Sequence, residues 1–156
     1  GVLTGEPGKA QALEQSMRQR LERVEADLDK TAKRPSVFFE VRYPGLLAAG
    51  RASVVTDVIR LAGGVNPVDQ DKRLVRVSDE VVLGLDPDVY LIQRGPMNPL
   101  PVGLDQRPLC AELKAARKGR VLVVEEALFS RPGPHIVDAV ELLAQYLKGL
   151  EIKDGK

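Results

Sequence analysis

The first part of the chain has hydrophobic and polar residues in a helical pattern. Between residues 8 and 32, apolar side chains recur at steps of three and four residues, at Leu13, Met17, Leu21, Val24 and Leu28. This spacing lines one face of an α-helix, and the opposite face is charged, so we predict a long amphipathic helix. Thr4 can cap its start, and Pro35 blocks its continuation.

Three shorter segments have the composition of buried strands. Residues 36–41, 89–92 and 120–124 are dense in β-branched, aromatic or other apolar side chains. Helical patterns separate and follow them, over residues 53–61, 109–116 and 134–147. Ser53 can cap the first of these helices, and Gly63 and Gly64 end it. The proline-rich residues 94–108 predict an irregular excursion.

This alternation of strands and helices predicts the fold class. We expect an α/β lobe of three layers, with a mainly parallel central sheet flanked by helices and preceded by the long helix. The predicted units are a helix over residues 1–34, a lobe over residues 35–150 and a tail over residues 151–156. In such a sheet, ligands bind at the carboxyl ends of the strands. The loops that begin there start at Arg42, at Gln93 or Arg94, and at residues 125–131.

Composition predicts one domain and argues against two classes of partner. The chain has 156 residues, 44% of them hydrophobic, which is enough for one core. With 23 basic and 22 acidic residues the formal net charge is +1, so neither nucleic acid nor an anionic membrane is an expected partner. The single cysteine, Cys110, excludes an intrachain disulfide and is expected to be buried or half-buried. The chain enters its first helix without a preceding strand, which predicts that further sequence lies upstream.

The motifs of catalysis and of metal binding are absent from the sequence. His135 is the only histidine and is interpreted as a surface residue at the start of the last helix, so no zinc or bis-histidine haem site is expected. Gly63 and Gly64 follow a helix rather than a strand and do not form a phosphate loop. Glu125 and Glu126 are adjacent and would point apart in a strand, which does not suit an acid/base pair. We therefore predict a binding protein with no enzymatic activity, no cofactor and no resident metal.

The loop that follows the third strand has the features of a ligand-binding loop. Phe129, Ser130 and Arg131 offer a ring, a hydroxyl and a guanidinium, and the prolines and glycine of residues 132–134 hold them rigidly. Arg131 can hold a carboxylate, a propionate or a catecholate oxygen, or it can pair with a neighbouring acid. The other two loops add further candidates: Arg42, Tyr43, Arg94, Met97 and Asn98. The Tyr43 phenolate oxygen suits ferric iron, although a tyrosine before Pro-Gly is also a common packing residue.

The ordered set of motifs resembles the C-terminal lobe of the substrate-binding proteins of ABC importers for iron siderophores, haem and cobalamin. The resemblance covers roughly residues 4–150 and is carried by the order and spacing of its pieces. These pieces are the long helix, SVFFEV, SVVTDVIRLAGGVN, VSDEVVLGLDPDV, KGRVLVV and FSRPGP. Two positions depart from the family pattern: Leu128 stands where cobalamin binders can place a tryptophan, and His135 stands where arginine is common.

The resemblance implies two lobes joined by one long helix, with a chelate held between them. It implies that the helix over residues 8–32 is this interlobe helix and that the N-terminal lobe is missing. The apolar face of the helix would then be exposed, which predicts dimerisation or swapping of the fragment. It also implies that Tyr43, Arg94 and residues 129–131 face the ligand. Glu80 aligns with the carboxylate that docks on the membrane permease; the alternative role of Glu80 is a solvated residue in the first turn of a helix.

The resulting hypothesis is a substrate-binding component of an ABC importer, periplasmic or otherwise extracytoplasmic, with or without a lipid anchor. Its ligand is expected to be a metal chelate, with a ferric siderophore ranked before cobalamin or haem and an oxyanion last. Two other classes stay open on the residues alone. One is a Rossmann-like enzyme domain that holds an anionic cofactor or substrate, and the other is an interaction domain without a small-molecule ligand.

Overall fold

Five strands form one sheet, and helices pack on both of its faces. The computed structural model describes residues 7–28 and 33–154. The helices are α1 (Pro7–Asp27), α2 (Val54–Leu61), α3 (Asp79–Leu85), α4 (Lys114–Arg117), α5 (Glu126–Phe129) and α6 (Ile136–Asp154). The strands are β1 (Val37–Arg42), β2 (Leu47–Ala49), β3 (Leu74–Arg76), β4 (Val89–Arg94) and β5 (Val121–Glu125). Two 3₁₀ turns, Leu104–Gln106 and Cys110–Glu112, lie between β4 and α4.

The strand order is β3-β2-β1-β4-β5. The three strands predicted from the sequence are β1, β4 and β5, and they pair in parallel at the centre and one side of the sheet. The short strands β2 and β3 extend the other side in antiparallel pairing and were not predicted. The α/β class, the parallel centre and the flanking helices agree with the prediction.

The central strands are buried on both faces, which explains their continuous apolar runs. On one face Phe39 packs in a core with Ile59 of α2 and Leu143 of α6. On the other face Phe38 packs with Tyr90 in a second core, which the 3₁₀ turns and α4 close. Cys110 belongs to this second core and is buried, as predicted. Glu40 shares the face of Phe38 because side chains alternate along a strand.

Helix α1 packs against the core with Leu21 and Val24, and polar contacts join it to α6. Arg20 donates through Nε to Glu141 Oε1 at 2.9 Å and through Nη2 to Glu141 Oε2 at 2.6 Å and to Asp138 Oδ1 at 2.5 Å. These contacts raise the pKa of the Arg20 guanidinium and lower that of the Glu141 carboxyl. The described part of the helix runs to Asp27. The predicted end near residue 32 and the Thr4 cap lie outside the described residues.

The ends of α2 are as the sequence predicts, whereas α6 is longer. The Ser53 hydroxyl accepts a hydrogen bond from the backbone N–H of Val55 at 3.3 Å, which caps α2. Gly63 has φ +92°, a conformation that favours glycine, and it follows the last turn of the helix. Helix α6 continues to Asp154, so most of the segment predicted as a tail after residue 150 is helical.

Candidate ligand-binding edge

The carboxyl ends of β1, β4 and β5 lie side by side, because these three strands are neighbours and run in parallel. They end at Arg42, Arg94 and Glu125, and Arg94 is the register partner of Glu125. The structure thus brings together the three loops predicted from the sequence. We call these strand ends and the loops that follow them the carboxyl edge.

Arginines and glutamates face each other along the carboxyl edge. Arg94 donates to Glu125 Oε1 through Nε at 2.8 Å and also through Nη2. Arg131 Nη2 lies 3.5 Å from Glu126 Oε1. Arg42 has a weaker contact, from Nη2 to the Gly45 carbonyl at 3.4 Å. The Arg42 Nε is shielded from solvent and has no hydrogen-bond partner among the described residues.

Gln93 connects the second and third loops of the carboxyl edge, a role that sequence reasoning missed. Its side chain is 1% exposed. The Ser130 hydroxyl donates to Gln93 Oε1 at 2.5 Å, Gln93 Nε2 donates to Glu126 Oε2 at 3.3 Å, and Asn98 Nδ2 donates to the Gln93 carbonyl at 2.9 Å. A Cβ at Gly95 would lie 2.6 Å from Glu126 Cβ, so only glycine allows this approach. Gln93 directly follows the predicted strand over residues 89–92, and no local sequence signal shows that its side chain is buried.

A buried ion pair lies beneath the first loop. Arg107 Nη1 donates to Glu40 Oε2 at 2.5 Å, and Arg107 Nη2 donates to Glu40 Oε1 at 2.9 Å and to the Val102 carbonyl at 2.5 Å. Both side chains are 0% exposed. The Tyr90 hydroxyl donates to Glu40 Oε2 at 2.7 Å, and burial together with the Glu40 charge raises the pKa of Tyr90.

This ion pair also supports Tyr43. The Arg107 guanidinium lies over the Tyr43 ring, 3.9 Å from its centroid, in a cation–π contact. Tyr43 remains half-buried at the start of the loop after β1. Sequence reasoning placed Arg107 in an irregular excursion and did not identify its role, because its partner Glu40 is distant along the chain.

Six of the eight predicted ligand residues reach the surface of the carboxyl edge. Arg94, Met97 and Arg131 are exposed, and Arg42, Tyr43 and Ser130 are half-buried.

Two of the predicted ligand residues, and His135, are placed differently from the expectation. Phe129 is fully buried and packs against Phe39 with ring centroids 6.1 Å apart, and Asn98 is 2% exposed. Their side chains are internal, so we leave both out of the contact set proposed below. His135 is more enclosed than predicted, because it is half-buried and its Nε2 is shielded from solvent without a partner among the described residues.

Glu80 lies in the first turn of α3 and is exposed. The Ser78 hydroxyl, followed by the backbone N–H of Glu80 itself, lowers the pKa of the Glu80 carboxyl by hydrogen bonding. Ser78 also caps the helix by accepting from the backbone N–H of Val81 at 3.4 Å. Glu80 is therefore an ionised, solvent-facing carboxylate at neutral pH.

Comparison with known proteins decides the family. A sequence model of the periplasmic binding protein family matches residues 1–128. The chain belongs to this family. The match agrees with the resemblance inferred from the motifs, and it assigns the chain to binding proteins rather than to enzymes. The Rossmann-like enzyme alternative is therefore not supported.

Individual proteins are similar to this chain over most of its length. An uncharacterized ABC transporter substrate-binding lipoprotein of Bacillus subtilis (strain 168), YvrC, is 26% identical over 93% of this chain and 46% of its own. The crystal structure of a periplasmic heme binding protein from Pseudomonas aeruginosa is 29% identical, with a TM-score of 0.82, over 94% of this chain and 56% of its own. A structure of an ABC-type Fe3+-hydroxamate transport system from Saccharomonospora viridis DSM 43017 is 29% identical, with a TM-score of 0.72. The match covers 87% of this chain and 48% of that protein. The chain spans about half the length of these relatives.

Family membership places the chain outside the cytoplasm, as predicted. Among the described residues, no helix combines the length and the apolar character that crossing a bilayer requires. Nor does that part of the chain contain a cluster of three or more histidine, cysteine or carboxylate side chains that could hold a metal ion.

Proposed function

We propose that this chain is the C-terminal lobe of the substrate-binding component of an ABC importer, and that it captures a metal chelate. The observation that carries the proposal is the convergence of three loops, with three arginines and a tyrosine, on the carboxyl edge of a parallel sheet. Two similar proteins support the ligand class, because their names refer to haem and to Fe3+-hydroxamate. The metal in this proposal is part of the cargo.

The accessible side chains of the carboxyl edge can contact different parts of a ligand. Arg42 and Arg131 are the arginines held least tightly by neighbouring carboxylates, and a guanidinium can hold an oxygen-rich ligand through two donors. Tyr43 offers a ring and a hydroxyl, and Met97, 41% exposed, offers an adaptable apolar surface. Arg94 can bind a ligand oxygen by exchanging its bond to Glu125.

Ligand binding is tested on the full-length product of the gene that encodes this chain. Isothermal titration with ferrichrome, haemin and cyanocobalamin is expected to show saturable binding of one of them. Arg131→Ala should weaken that binding roughly tenfold, which corresponds to about 1.4 kcal/mol. Arg60→Ala is the matched control, because Arg60 is also exposed and paired with a carboxylate but lies on α2. Absence of binding to all three ligands would contradict the proposal.

We further propose that Glu80 docks on a cationic surface of the membrane permease. Its exposure and its ionised carboxylate support this role. Glu80→Gln should leave ligand affinity unchanged and reduce transporter-dependent uptake of the ligand, whereas Glu22→Gln, at an exposed position of α1, should leave both unchanged. Normal uptake with Glu80→Gln would assign this residue to the solvated surface.

Self-association of the isolated chain follows from the same proposal. Leu13 on α1 is 48% exposed, and residues 8–16 of this helix are exposed throughout. Analytical ultracentrifugation should show a dimer that Leu13→Glu reduces, and a monomer at high concentration would refute this expectation.

A further inference from the structure

The arginines of the carboxyl edge are matched by carboxylates, and this balance bears on the charge of the ligand. The Arg94–Glu125 pair is open to solvent, with side chains 57% and 53% exposed. A ligand on this edge can therefore reach both members of the pair. An anionic group that approaches the Nε and Nη2 side of Arg94 must compete with the Glu125 carboxylate, which already accepts from both of these nitrogens.

The second carboxylate is fixed in position. Glu126 has a side chain that is only 16% exposed, and it lies against the backbone of Gly95 and accepts from Gln93 Nε2 at 3.3 Å. These contacts hold its charge beside Arg131, whose Nη2 is 3.5 Å from Glu126 Oε1. A bound ligand cannot displace this carboxylate without opening the packing at Gly95.

The three guanidinium groups of Arg42, Arg94 and Arg131 and the two carboxylates of Glu125 and Glu126 together carry a net charge of one positive unit. The buried pair of Glu40 and Arg107 adds none. We infer that Glu125 and Glu126 are specificity-determining residues, and that this edge selects a neutral or singly charged chelate over a multiply anionic one. This inference rests on the proposed function and specifies its ligand class.

The physical basis is the number of negative charges that each ligand brings to the edge. A trianionic ferric tris-catecholate brings three negative charges to five groups that offer a net of one positive charge, so two of its charges stay uncompensated when it leaves water. A neutral ferric tris-hydroxamate or corrinoid has no such cost. Removing one carboxylate therefore helps only the charged ligand. Because the Arg94–Glu125 pair is exposed, the effect should decrease as salt is added.

The experiment compares ligands of different charge on the full-length gene product by isothermal titration. The wild type should bind ferrichrome or cyanocobalamin, which are neutral, more tightly than the trianion ferric enterobactin. Glu125→Gln should raise the affinity for ferric enterobactin roughly tenfold at low salt and change that for the neutral ligands less than about twofold. Glu126→Gln, whose amide can keep the contact with Gln93, should act in the same direction.

Asp57→Asn is the matched control, because it changes the net charge equally at an exposed site on α2 and should alter neither affinity. A wild-type preference for the trianion, or an equal shift of all ligands by Glu125→Gln, would overturn the inference and leave the proposed function standing. If no chelate in the panel, with haemin included, binds the wild type, the proposed function fails and this inference fails with it.

Discussion

The buried pair of Glu40 and Arg107 predicts a large, pH-dependent loss of stability when only one partner is removed. Arg107→Met keeps most of the side-chain volume and deletes the charge. It leaves the Glu40 carboxylate fully buried, with the Tyr90 hydroxyl as its remaining hydrogen-bond partner. Removing one partner of such a pair typically costs about 3–5 kcal/mol, because a buried charge is left uncompensated.

The structure allows an independent check on this magnitude. A carboxyl group of ordinary acidity can escape burial of its charge by taking up a proton, at a cost of about 3.7 kcal/mol at pH 7. Because protonation is always open to the carboxyl group, the buried charge alone can cost no more than about 3.7 kcal/mol at pH 7. The orphaned Val102 carbonyl and the lost cation–π contact with Tyr43 each add on the order of 1 kcal/mol. We therefore expect a loss of about 3–5 kcal/mol at neutral pH.

Urea denaturation followed by circular dichroism measures the loss at pH 7 and pH 5. Proton uptake becomes easier by about 1.4 kcal/mol per pH unit, so the deficit relative to wild type should shrink by about 2–3 kcal/mol at pH 5. The double variant Glu40→Gln, Arg107→Met, which removes both charges of the pair, should recover at least half of the neutral-pH deficit. A deficit below about 1 kcal/mol, or one independent of pH, would refute the reasoning.

Three further predictions concern other parts of the lobe. Burial alone would raise the pKa of Asp88, but hydrogen bonds from Lys114 and Ser36 outweigh it and lower this pKa to about 2. This lowered pKa stabilises the fold above the ordinary pKa of an aspartate, and the stabilisation is lost as pH falls from about 4 to about 2. Urea titrations over this range should show that the wild type loses about 1–2 kcal/mol of unfolding free energy relative to Asp88→Asn. Arg20→Ala should increase hydrogen exchange in α1 by mass spectrometry with little change in the sheet, and unchanged exchange would show that apolar packing alone holds the helix. Ser53→Ala should cost about 1 kcal/mol of unfolding free energy through the lost cap on α2, and a cost near zero in urea denaturation would contradict that role.

The parts of the fold that the sequence predicts are those with repeated local signals. The strands β1, β4 and β5 are continuous apolar runs because both of their faces are covered, and the end of α2 is marked by glycine. The convergence of the three loops follows from parallel pairing alone, so it could be predicted without side-chain detail.

The features that escaped prediction depend on contacts between distant residues. Strands β2 and β3 have three residues each, too few for a period to be visible. Glu40 and Arg107 are 67 positions apart, and nothing local shows that they pair. Phe129 was grouped with its polar neighbours as a ligand residue, but it is the last residue of the short helix α5 and its side chain is buried in the core. Which side of so short a helix is buried depends on the distant elements that pack against it.

The two ends of the sheet differ in how readily they could accept another strand. At one end β3 has three residues, and Lys72, Arg73 and Arg76 surround it with positive charge, a pattern that discourages pairing with a second sheet. At the other end β5 has five residues, and Val123 is 51% exposed. Within the described part of the chain, no strand pairs with the outer side of β5. Growth of the sheet by an added chain is thus directional: the backbone of β5 can template a new strand, whereas that of β3 is protected by charge and by its short length.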